Sequence, residues 1–136
     1  MTPLPSIDTA TDPVHCADDM LQRWRALMGP LGFGERLLWV GFVGPDRRMN
    51  KVLSQVAVGA CPHRDITDSL LVGLAVLLDG DFEAGTSVAL LLTRPGRDPV
   101  SAGDRRWAAV LTDAAARAGV PLEPIFRAND AAILQL

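Results

Sequence analysis

Between residues 94 and 104 the chain runs Arg-Pro-Gly-Arg-Asp-Pro-Val-Ser-Ala-Gly-Asp, which gathers two guanidinium groups, two carboxylates and a hydroxyl into one turn. Arg94 and Arg97 carry the side chain best suited to gripping an anion through paired N–H donors. Where such a segment opens a helix, the free backbone N–H groups and the helix dipole add to the grip. Ser101 and Asp104 have the spacing of a capping box, in which the serine accepts from the N–H three residues on and the acid reaches back to the cap. Glutamate or glutamine is the usual acid partner, so Asp104 is a shorter substitute. Two kinds of chemistry fit this turn. One is a small-ligand or anion site, or a weak enzyme, with Arg94 and Arg97 binding the anion while Ser101 and Asp104 orient the loop. The other is a corner whose arginines are solvated or pair with Asp98 and Asp104, exposed pairs being worth about 0–1 kcal/mol.

Elsewhere the chemistry is sparse. With His15 and His63 as the two histidines, and neither beside a Gly-x-Ser-x-Gly turn, no nucleophile–base–acid triad can be drawn. There is no P-loop and no Gly-x-Gly-x-x-Gly after a strand. His15-Cys16 and Cys61-Pro62-His63 formally supply two thiols and two imidazoles, but adjacent His-Cys spacing chelates one ion poorly. No catalytic residue, metal or cofactor is therefore assigned. The formal charge of −3 gives no general attraction for nucleic acid or anionic membranes. No apolar run reaches the ~18 residues of a membrane span. The first residues lack the basic and apolar regions of a signal peptide, and two cysteines without C-x-x-C spacing then read as reduced thiols, so the cytoplasm is expected.

The elements that must position the corner follow from periodicity. Residues 1–15, with Pro3, Pro5 and Pro13 among small polar residues, are expected to be a mobile tail, and residues 16–136 a single α/β domain. "CADDMLQRWRALMG" spaces Met20 or Leu21, Trp24, Leu27 and Met28 as one helical face, with Asp18 and Asp19 at its positive end and Gly29-Pro30 as its stop. Residues 36–43 and 50–58 predict an antiparallel hairpin around "GPDRRM". A helix then follows with Asp65 or Thr67 as its N-cap and carries aliphatics on nearly every face from Leu70 to Leu78, so it is either buried on both sides or an interface. Residues 86–93 form a central apolar strand. It hands over through the corner to a helix with core stripe Trp107, Val110, Leu111, Ala114 and Ala118, ending at Gly119. "VPLEPIFRA" and "AAILQL", parted by Asn129-Asp130, give two last strands. The order helix-strand-strand-helix-strand-helix-strand-strand makes an α/β fold: a mixed sheet of about five strands flanked by three helices. Trp24, Trp39 and Trp107 lie on apolar faces, as core rather than as a base-stacking platform. Nearly half the residues are apolar and mean hydropathy is +0.20, so some surface is expected to be covered by a second copy of the chain or another protein.

From about residue 37 to 127, element order and several local words resemble the RadC-like branch of the JAB (MPN) metalloprotease fold. "LTRPGRDPVSAGD" is similar to that family's loop in Pro95, Gly96, Asp98-Pro99 and the Ser-x-x-Asp of Ser101 and Asp104. "VGACPHRDI" is similar to its entry into the preceding helix. The departures are as specific as the matches. The family's two histidine ligands fall on Leu92 and Arg94, the loop is one residue short, and Ser54 and Gln55 occupy the region of its catalytic glutamate. What the resemblance implies is a degenerate JAB-like domain without hydrolase activity, since Asp104 alone does not hold a catalytic zinc. The words "LTRPG", "DRRW" and "AGVP" are also similar to actinobacterial proteins without an assigned activity. The expected function is a non-catalytic structural or regulatory module working through protein–protein association.

Overall fold

The computed structural model describes residues 3–136. A 3-10 turn (Ile7–Thr11) precedes helix α1 (Ala17–Met28), strands β1 (Leu37–Val43) and β2 (Met49–Ala57), and helix α2 (Arg64–Asp81). Strand β3 (Ser87–Thr93), helix α3 (Ala102–Ala118) and short strands β4 (Phe126–Ala128) and β5 (Ile133–Gln135) follow. The chain is an α/β domain: among the described residues, three helices flank a five-stranded mixed sheet of order β2-β1-β3-β4-β5. β1 runs antiparallel to β2 and β3, β4 runs parallel to β3, and β5 turns back on β4.

Every residue of β3 is buried, as a continuous apolar run requires when both sheet faces are covered. Its even-numbered Val88, Leu90 and Leu92 join Leu38 and Val40 of β1 beneath Leu71 and Leu74 of α2 and Trp107 and Leu111 of α3. Its odd-numbered Ala89 and Leu91 meet Met20 and Trp24 of α1 and Phe126 of β4 on the opposite face. Each large aliphatic or aromatic side chain so buried contributes roughly 1.5–3 kcal/mol. All three tryptophans serve this packing: Trp24 and Trp107 are buried, and the half-buried Trp39 donates its indole N–H to the Thr93 hydroxyl at 3.0 Å.

The hairpin forms within a residue of its expected bounds, with a register shift between Gly41 and Val43. A Cβ on Gly41 would stand 2.5 Å from the terminal carbon of Met49, so any larger residue there would have to displace the end of that side chain. One expectation needs correction. Helix α2 starts at Arg64 with His63 as its cap residue, and Thr67 is not a cap: its hydroxyl donates to the carbonyls of His63 and Arg64 from inside the first turn. Of the two arrangements open to α2, burial on both sides within the chain does not occur, because Thr67, Leu71 and Leu74 are buried while Ile66, Val72, Val76 and Leu77 are exposed. The segment expected as a tail is tied down at its end. Ala10 and Val14 are buried, and the Val14 N–H donates to the Arg47 carbonyl at 2.7 Å. The last two strands keep only three residues each. Pro121 and Pro124 remove ladder donors before β4, and the Asn129 carboxamide oxygen closes the turn by accepting from Ala131 and Ala132.

Candidate functional site

The 94–104 corner hangs between the end of β3 and the start of α3, with β4 alongside. β3 delivers Arg94 inward, and its backbone N–H donates to the Ala128 carbonyl at 3.0 Å. Ser101 caps α3 by accepting from the Asp104 N–H at 3.1 Å, and Asp104 returns the bond by accepting from the Ser101 N–H at 3.0 Å. The shorter acid thus completes the capping box.

Asp104 also does a second thing. Arg94 Nε and Nη2 each donate to it at 2.9 Å in a bidentate pair, and Arg127 Nε of β4 lies 3.4 Å from the same carboxylate. The three side chains are 3%, 1% and 1% exposed. Burial pushes the Asp104 carboxyl up, but the bonds from Arg94 and Ser101 and the charges of Arg94 and Arg127 outweigh it and hold the group below the ordinary aspartate value. The two guanidiniums divide unequally. The bond to Asp104 raises Arg94 against its own burial, whereas burial lowers Arg127 more than Asp104 restores. Geometry explains the split, because Arg127 Nε makes no aligned hydrogen bond and Arg127 Nη1 has only the Ala132 carbonyl, at 3.3 Å.

Around this buried triad the loop is stitched by backbone bonds. Asp98 lies 3.3 Å from Arg94 Nη1 but is largely exposed, and its carbonyl accepts from the Asn129 carboxamide at 2.7 Å. The Asp130 carboxylate accepts from the Phe33 and Gly96 N–H groups, both at 2.9 Å, and these two bonds depress its pKa. Of the residues expected at a site, Arg94, Ser101 and Asp104 converge. Arg97 stands apart on the surface, donating to the Asp130 carbonyl at 3.2 Å. Sequence reasoning missed Arg127 and Asp130. A lone arginine inside the apolar word "IFRA" was the available sign of a buried partner.

The arrangement suits a structural joint better than a ligand clamp. Arg94 directs its donors at Asp104, Asp98 and the carbonyls of Pro95 and Pro99, so its guanidinium is occupied within the chain. A zinc ion does not fit these residues either. Leu92 is buried in the helix-side core, Arg94 brings a cation where a ligand is needed, and both Asp104 oxygens are already engaged. Ser54 and Gln55 lie on the edge strand β2, with β1 between them and β3. Among the described residues, no group of three or more His, Cys, Asp or Glu could hold a metal ion, and Cys16 and Cys61 are free and exposed. No helix among them is long and apolar enough to cross a membrane. Compared with known proteins, the chain matches no protein-family model, no curated protein and no solved structure.

Proposed function

We propose that this chain is a non-catalytic α/β module that works by protein–protein association, a JAB-like scaffold in which a buried ion pair stands where a metal site would be. The observation that carries the proposal is the outward face of α2. Ile66, Val72, Val76 and Leu77 are large, aliphatic and uncovered on a helix whose other face is core. Val52 and Val56 on edge strand β2 are also exposed. A helix needs one apolar stripe to pack on its own sheet, and a second stripe serves contact with something else. The internal use of Arg94 and Asp104 agrees with a corner that braces the fold.

The test sets this function against a ligand site at the corner. Ligand that binds only the folded state raises the melting temperature by mass action. Phosphate, nucleotides and divalent metals are expected to leave it unchanged in wild type and in Arg97→Ala alike. A hydrophobic dye is expected to bind wild type and to lose that binding in Val72→Glu/Val76→Glu. A saturable stabilisation by an anion that Arg97→Ala removes would move the function to the corner and end the association proposal.

A further inference from the structure

The charges around the α2 face say what kind of companion it takes. Ile66, Ser69, Gly73, Val76, Leu77 and Gly80 recur at helical spacing, and Val72 adjoins Val76 one turn away. Ile66 is 63% exposed, Val72 56%, Val76 68% and Leu77 43%. These four side chains make one aliphatic stripe along the helix, the kind of exposed apolar surface that marks a contact site. Gly73 and Gly80 have open space where a Cβ would stand. Nothing inside the chain needs them, although each costs the helix about 1 kcal/mol relative to alanine. What they provide is a shallow trough along which another backbone can lie.

The rim of this trough is acidic. Among the described residues Asp65, Asp79, Asp81 and Glu83 are exposed and form no ion pair, and the last turn of α2 has no basic residue to offset its dipole. Arg64 and Asp68 are already engaged with α3, Arg64 with Asp113 at 2.8 Å and Asp68 with Arg117 at 2.7 Å. A second copy of the chain fits this rim badly. Packed antiparallel, α2 would bring Asp65 of each copy toward Asp79 and Asp81 of the other. Packed parallel, it would bring the acidic ends together. Either arrangement sets like charges against each other along the edge of the contact, a mismatch that a basic partner does not have.

Building on the association proposal, we infer that the α2 face receives an amphipathic helix from a different protein, one whose aliphatic stripe is flanked by arginine or lysine. Antiparallel docking places the positive end of that helix, and its basic residues, against the carboxylates at 79–83.

The experiment uses the full chain and three synthetic helices matched to the 18 residues of α2. The first has a leucine-alanine stripe flanked by arginine and lysine. The second has the same stripe flanked by glutamate, and the third has the first peptide's composition scrambled so that no stripe forms. Measured by fluorescence anisotropy at low salt, the first is expected to bind at least about tenfold more tightly than the others, an advantage that shrinks as salt is raised. Val76→Glu is expected to abolish binding, and Asp79→Asn/Asp81→Asn to weaken it severalfold without changing the melting temperature. Equal binding of the glutamate or scrambled peptide, no binding by any of the three, or indifference to the aspartate changes would overturn the inference. Sedimentation of the same samples separates it from the broader proposal. A wild-type dimer that Val76→Glu dissociates would keep association as the function while assigning this face to a second copy.

Discussion

Asp104 is the residue on which the corner turns, because one carboxylate caps a helix, pairs with Arg94 and faces Arg127. Replacing it with asparagine keeps the volume but leaves the buried Arg127 without an anion and Arg94 with only the exposed Asp98 carboxylate. Breaking such a pair from one side costs about 3–5 kcal/mol, more than the capping bonds alone explain. The pH dependence has a definite sign. Since the folded carboxyl sits below its ordinary value, the stability it contributes is fully present above the unfolded value of about 3.9 and is lost as pH falls through the folded value. Urea midpoints measured from pH 6 down to pH 2 are expected to fall steeply in wild type below about pH 4. In Asp104→Asn they start lower and fall less, with Glu123, Asp130 and Asp19, whose carboxyls are also held below their ordinary values, supplying the remaining acid sensitivity. A variant as stable as wild type at pH 6 would show that the triad is not what braces the loop.

At the scale of elements, α2 carries a conflict that can be measured. Gly73 sits in mid-helix with nothing within 4 Å of an added Cβ, so Gly73→Ala is expected to raise stability by up to about 1 kcal/mol, read as a higher melting temperature. The same methyl narrows the trough and is expected to weaken binding of the basic helix. A variant neither more stable nor weaker in binding would remove the reason for glycine at that position. How such elements announce themselves differs along the chain. Helix α3 is legible because its signals are local: Ser101 and Asp104 three residues apart, an apolar stripe, and Gly119 in the left-handed conformation at φ 74°. Strand β3 is legible because an uninterrupted apolar run has few other solutions. The start of α2 is not, since Thr67 can bond backward inside a turn as readily as forward at a cap. The place of Arg127 beside Asp104 is not legible either. It follows from the parallel pairing of β3 with β4 across the whole of α3, which no spacing in the sequence encodes.

For the molecule as a whole, Arg47 binds together parts that are distant in sequence. It lies in the β1–β2 turn at φ 63°, a left-handed backbone unusual for a side chain other than glycine. Its Nε donates to the Val14 carbonyl at 2.8 Å, while Nη1 and Nη2 reach Glu123 at 3.1 and 2.6 Å. Glu123 accepts in turn from the Ser87 hydroxyl at 2.6 Å, so the N-terminal segment, the hairpin turn, β3 and the approach to β4 meet at one group. Burial pushes Glu123 up, yet the bonds from Arg47 and Ser87 hold it below its ordinary value. Two substitutions separate the tie from the strain. Arg47→Ala loses the bonds and keeps an unfavourable φ, whereas Arg47→Gly loses the same bonds but relaxes the backbone. Chemical denaturation is expected to show both less stable than wild type, with the glycine variant ahead of alanine by about 1 kcal/mol because left-handed backbone costs an L residue roughly that much. Hydrogen exchange distinguishes the tie from a local effect. In both variants the Val14 amide, bonded to the Arg47 carbonyl, is expected to lose protection together with the amides of the 44–48 turn. If protection at Val14 survived both changes, the N-terminal segment would be held by the burial of Val14 and Ala10 alone, and Arg47 would serve only the turn.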